Sequence, residues 1–212
     1  MGPLLLLQAV TSTLPPGTTR RLSGRETTAL ERCLEILDRL DGLMLPVGDR
    51  TPHIIYASDA QGFADSTGFP AAIGIYFGPQ AYYRLTSFQL VQLFPDAPDP
   101  RAHISIFEAY APLVPLRLNP ERFQNKLIGV LLDNPAAAAV LSKLRGPTAP
   151  GPLRAELQRI AELYFWELTK LNARFSDVRL VPGEQNPYAD AVSRGNWKAL
   201  QALIHAGQTS LP

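Results

Sequence analysis

The sequence predicts an α/β fold on a mixed sheet of five strands, three antiparallel and then two parallel, flanked by helices. Three observations predict it. Short β-rich runs near His53, Ala71 and Ala81 follow one another closely enough for a meander. Leu127 to Leu132 is an unbroken apolar run, the kind buried on both faces of a parallel pairing. Segments with helical periodicity separate that run from the strands on either side, which places helices around the sheet.

Residues 1 to 22 show no sustained period and read as a lead-in. Ser23 with Glu26 has the form of a capping box, and Leu30, Leu34, Leu37 and Leu40 give the following helix one apolar face up to Gly42. Leu45 to Pro52 reads as a linker, so residues 1–50 form an extension and residues 51–212 the main domain. His53 to Ser58 is a strand that delivers Asp59 at its end. Ala71 to Phe77 and Ala81 to Phe88 make a hairpin across Gly78-Pro79-Gln80. In a helix from His103 to Leu118, Pro112 and Pro115 must introduce a kink or end the regular part early, because proline lacks the N–H that an interior turn requires. Asp133 closes the Leu127 strand, and Asn134-Pro135 starts a helix with proline where its missing N–H costs nothing. Apolar positions 153, 157, 160, 164, 168 and 171 trace one face of a long helix. A strand from Arg174 to Val181 follows, and a last helix runs from Asn186-Pro187 to about Ala206.

Composition bounds the function. A net charge of +1, from 20 basic and 19 acidic side chains, gives no overall electrostatic footprint for nucleic acid, so any basic surface must come from clustering. The single cysteine, Cys33, excludes an intramolecular disulfide and suits a reducing, intracellular setting, cytoplasmic or nuclear. His53, His103 and His205 are too scattered for a zinc site. Leu4 to Leu7 is too short to span a membrane and lacks the positive charge of a signal peptide.

The acids carry the chemistry. Asp59 and Asp133 end two strands, Glu108 lies on the helix between them, and Asp190 is in the first turn of the last helix. Singly, each reads as an ordinary cap or turn residue. If the first and fourth strands are neighbours, Asp59 and Asp133 come side by side where open sheets usually bind ligands. Carboxylates that close repel and need cations, for which magnesium is the natural hard ion.

The stretch Val181 to Gly195, VPGEQNPYADAVSRG, closely resembles the end of the ribonuclease H domain in retroelement reverse transcriptases. Ser58-Asp59-Ala60, Glu108 in IFEAYA and Leu132-Asp133-Asn134 resemble that family's other acidic motifs, and the likeness spans about residues 53 to 197. Within reverse transcriptases the motifs resemble those of gypsy-like or tyrosine-recombinase retrotransposons. The resemblance implies a ribonuclease H-like fold and hydrolysis of the RNA strand of an RNA–DNA hybrid, alongside the polymerase part of a reverse transcriptase. Asp59, Glu108, Asp133 and Asp190 would be the catalytic ligands of two magnesium ions, for which manganese can substitute. Asn134 and Arg194 would touch the substrate, although Asn134 reads equally well as the cap of its helix. Arg101, Lys126, Lys143, Arg145 and Lys198 read as solvated surface more readily than as phosphate contacts, and Tyr164, Phe165 and Trp166 as core more readily than as stacking platforms.

The chain departs from the family at Leu180, where many members carry a histidine that assists turnover. That departure and the low net charge keep a second reading open, a ribonuclease H-like scaffold that binds a partner without chemistry. Transposases and integrases share the fold but usually end their acidic set with a glutamate, so Asp190 fits the hydrolase better.

Overall fold

A computed structural model of the chain describes residues 21–40, 50–62, 71–79, 81–86, 104–144, 146–147 and 153–206, with single positions 89, 92 and 151. The lead-in before residue 21, residues 41–49 with most of the linker, Gln80, Phe88, Arg101, His103 and Arg145 lie outside the described residues.

The strands are β1 (Ile54–Gln61), β2 (Ala72–Gly78), β3 (Ala81–Thr86), β4 (Leu127–Leu132) and β5 (Arg174–Leu180). They form one sheet in the order β3-β2-β1-β4-β5. β1 pairs antiparallel with β2 and β2 with β3, whereas β4 runs parallel to both β1 and β5. This is the mixed five-stranded sheet that the sequence predicts, and it is consistent with a ribonuclease H-like fold. Every residue of β4 is buried, as its uninterrupted apolar run requires of the one strand with parallel neighbours on both sides.

Eight α-helices accompany the sheet among the described residues: α1 (Gly24–Leu40), α2 (Ile104–Tyr110), α3 (Leu113–Leu118), α4 (Pro120–Phe123), α5 (Pro135–Lys143), α6 (Arg154–Leu171), α7 (Pro187–Ser193) and α8 (Trp197–His205). The strand period of two divides the side chains between two cores. Tyr56, Ile73, Ile75, Ile128, Val130 and Leu132 face one core with residues of α2, α3, α5 and α6, including Phe107, Leu113, Val140 and Tyr164. Each aliphatic side chain sealed there contributes roughly 1.5–3 kcal/mol. On the other face Tyr76 packs with Tyr188, Val192 and Leu200 of α7 and α8, and Ala57 and Leu131 with Ala189.

Local chemistry explains most boundaries. Ser23 and Glu26 cap α1 reciprocally: the Ser23 N–H donates to Glu26 Oε2 at 2.8 Å and the Glu26 N–H to Ser23 Oγ at 3.3 Å. Asn134 Oδ1 accepts the N–H groups of Ala136 and Ala137 at 3.0 and 3.1 Å, so Asn134 is the cap of α5. The helix predicted across Pro112 stops at Tyr110 and resumes at Leu113.

Three boundaries or faces differ from expectation. β1 continues through Asp59 to Gln61, because its antiparallel edge stays paired, with Asp59 opposite Gly74, after the parallel ladder to β4 ends at Ala57–Leu131. The last helix is two helices, because Gly195 takes a left-handed φ of 63° and Asn196 recaps the chain by accepting the Ala199 N–H. Among the described side chains of α1, Glu26, Ala29 and Cys33 are buried, while Leu30 and Leu34 of the predicted apolar face are exposed; the side chains of Leu37 and Leu40 lie outside the described residues. No helix among the described residues is long and apolar enough to cross a membrane.

Candidate metal centre

The opening of the ladder between β1 and β4 creates the site. Beyond Ala57–Leu131 the two strands no longer pair, and two residues further along each stand Asp59 and Asp133. Glu108 reaches the same place from α2, which packs on β1. One carboxylate oxygen from each of Asp59, Glu108 and Asp133 lies within 4.8 Å of the other two. Asp59 and Glu108 are buried and Asp133 is half-buried.

Three carboxylates in a poorly hydrated pocket cannot all hold their charge. Burial, reinforced by the charges of Asp59 and Asp133, pushes Glu108 up to about 9 against a hydrogen bond from the backbone of Ala60. Burial pushes Asp59 up to about 6, with Asp133 and Asp190 acting the same way and the Ser193 hydroxyl opposing them. Asp133 is raised as well, chiefly by burial. Glu108 Oε2 is buried with no hydrogen-bond partner. An acceptor sealed from water and left unmatched costs about 1–3 kcal/mol unless something coordinates it. An all-oxygen set of converging carboxylates with an orphaned acceptor fits a hard divalent cation, so these three residues could hold a metal ion.

Asp190 lies outside that group. It is in the first turn of α7, its charge raises the three other acids, and its Oδ1 accepts a hydrogen bond from Arg194 Nε at 2.6 Å. Arg194 is therefore bound to Asp190, with its side chain largely in solvent. Asn134 Nδ2 donates to Ser105 Oγ of α2 at 3.3 Å. Leu180 ends β5 half in solvent.

The segment Val181 to Gly195 is held against the site by residues that the acidic pattern does not single out. Asn186, itself buried, donates from Nδ2 to the Ser58 carbonyl at 2.9 Å and so ties the turn before α7 to β1 beside Asp59. A Cβ on Gly183 would lie 3.1 Å from Asp133 Oδ2, and one on Gly74 would fall 2.3 Å from the Ser193 nitrogen and 2.4 Å from the Ala189 oxygen. Gly74 thus lets α7 rest directly on β2 opposite Asp59. Ser193 Oγ donates to Asp59 Oδ2 at 2.5 Å. The sequence displays Asn186 and Ser193 within the resembling motif, and the partner of each is 128 or 134 residues away, beyond any local pattern.

The chain matches no protein-family model, and a search of curated proteins finds no match. The site therefore rests on its own geometry.

Proposed function

We propose that this chain hydrolyses the RNA strand of RNA–DNA hybrids as the ribonuclease H part of a reverse transcriptase, using two magnesium ions, or manganese in their place. The observation that carries the reading is the convergence of Asp59, Glu108 and Asp133 from three separate elements, with a buried oxygen of Glu108 unmatched. The mixed sheet and the resemblance of Val181 to Gly195 to the ribonuclease H motif support it.

In this reading Asp59, Glu108 and Asp133 hold the cations, and Asp190 completes the set once Arg194 releases it. Cations bound there supply the positive charge that activates water and offsets the charge developing on the scissile phosphate. Arg194, freed from Asp190, reaches a backbone phosphate, and Asn134 offers its Nδ2 to the substrate while its Oδ1 stays committed to α5. Preference for RNA comes from contacts to 2′-hydroxyls. Leu180 supplies neither a proton nor a ligand, so turnover is slower than in relatives with histidine there.

The test is cleavage of a hybrid labelled on its RNA strand, with magnesium, with manganese and with chelator, beside duplex DNA and duplex RNA. The reading expects metal-dependent cuts in the RNA of the hybrid alone. The Asp190–Arg194 pair favours the scaffold reading, and absence of cleavage in either metal by a protein that binds the hybrid would establish it.

A further inference from the structure

Ser193 is fully buried at the end of α7, one helical turn beyond Asp190, on the face that packs against β1 and β2. A serine inside a helix ordinarily returns its hydroxyl to a carbonyl of the preceding turn. That choice is available here, with the Asp190 carbonyl 3.0 Å from Ser193 Oγ. The shorter contact, 2.5 Å, is nevertheless to Asp59 Oδ2. The residue is fixed from two further directions. Its backbone nitrogen presses on Gly74, where no side chain could intervene, and its carbonyl accepts Arg84 Nε of β3 at 3.0 Å. Arg84, Gly74 and Asp59 lie in register across three strands, so the same row of the sheet that bears the acid also anchors the serine.

We infer that Ser193 is a positioning residue for the metal centre, a hydroxyl that holds Asp59 by Oδ2 so that its carboxylate faces Glu108 and Asp133 in one fixed rotamer. The inference rests on the metal-centre reading and is independent of the hybrid as substrate. It assigns the serine of the C-terminal motif a task apart from the aspartate three residues before it: Asp190 contributes charge from α7, and Ser193 carries the orientation of α7 over to β1. Groups that orient metal ligands typically matter by 10–100-fold in affinity.

The test measures Mn2+ binding by calorimetry, and melting temperature in chelator, for the full chain and for Ser193→Ala and Ser193→Cys. Cysteine keeps the buried volume and replaces a strong donor with a weak one. The inference expects both variants to fold, to melt in chelator within a few degrees of wild type, and to bind Mn2+ roughly 10–100-fold more weakly. If both variants melt lower but bind Mn2+ as wild type does, Ser193 is only a packing residue and the inference is overturned. If wild type takes up no Mn2+, the metal centre falls and the inference with it. A wild type that binds Mn2+ more tightly than both variants yet cleaves no hybrid supports the inference and overturns the proposed activity alone.

Discussion

Two carboxylate environments sit within reach of each other and are built on opposite principles. Asp59, Glu108 and Asp133 share a pocket where burial raises all three, the charge of Asp133 adds to the rise at Asp59 and Glu108, and one oxygen of Glu108 has no partner. Asp190, a helix away, is substantially exposed and already matched by Arg194 at 2.6 Å. The first environment stores unfavourable electrostatics that a cation would relieve; the second is already paired, so a cation there must first displace Arg194. Substitutions should therefore separate the two sides in both sign and size.

The largest effect is expected at Asp133. Asp133→Asn should lower metal-dependent cleavage of the hybrid by roughly a thousandfold or more, since it removes a ligand and the charge behind it. Without metal the same variant should melt at or above the wild-type temperature, because a repelling charge is gone. A destabilised variant with full activity would place Asp133 among ordinary caps. Next comes Gly74→Ala, which attacks the seam joining the two environments. Its Cβ would meet backbone atoms of α7 at 2.3 and 2.4 Å, and backbone yields only by moving the helix. A loss of about 3 kcal/mol, the upper range for overpacking, should accompany weaker metal binding, and thermal melting beside Mn2+ titration checks both.

Proton linkage gives the third. Glu108 at about 9 and Asp59 at about 6 lie above the unfolded carboxylate range near 4. Between those limits the folded chain binds more protons than the unfolded one, so stability conferred by the protonated acids is present in acid and lost as pH rises. In chelator the melting temperature should fall from about pH 5 to about pH 8.5, and magnesium should flatten the fall. A rise over that interval would contradict the raised values. The smallest effect belongs to the exposed pair: Arg194→Gln should change stability by less than about 1 kcal/mol, as for screened surface pairs, in denaturant unfolding at low and high salt.

The sequence makes the framework legible where chemistry is local. Leu127 to Leu132 is a strand at the predicted residues, because five apolar side chains and a glycine with no polar interruption suit a position buried on both faces. Asn134-Pro135 and Pro112 mark helix boundaries through the hydrogen bonds they make or lack. Gly195-Asn196 carries an equally local signal, a left-handed residue before a cap, and the single long helix expected there overlooks it. What depends on distant contacts is not legible. Asp59 lies inside β1 because one ladder outlasts the other, and Ala29 and Cys33 are buried where periodicity points to Leu30 and Leu34. The acids stand out by type and position; the hydroxyl that orients one of them does not, since its meaning depends on a strand far away in sequence.

The central claim, that the buried acids are a cation site and not a structural feature, is tested most directly by melting wild type and Glu108→Gln at about pH 8 in chelator and in Mg2+ or Mn2+, where linkage makes the contrast large. Glutamine keeps the shape, removes the group pushed up to about 9, and cannot serve as an anionic ligand. The account predicts that in chelator the variant melts above wild type, and that added metal raises wild type markedly while leaving the variant almost unmoved. A variant that melts lower in chelator and responds to metal as wild type does would contradict it.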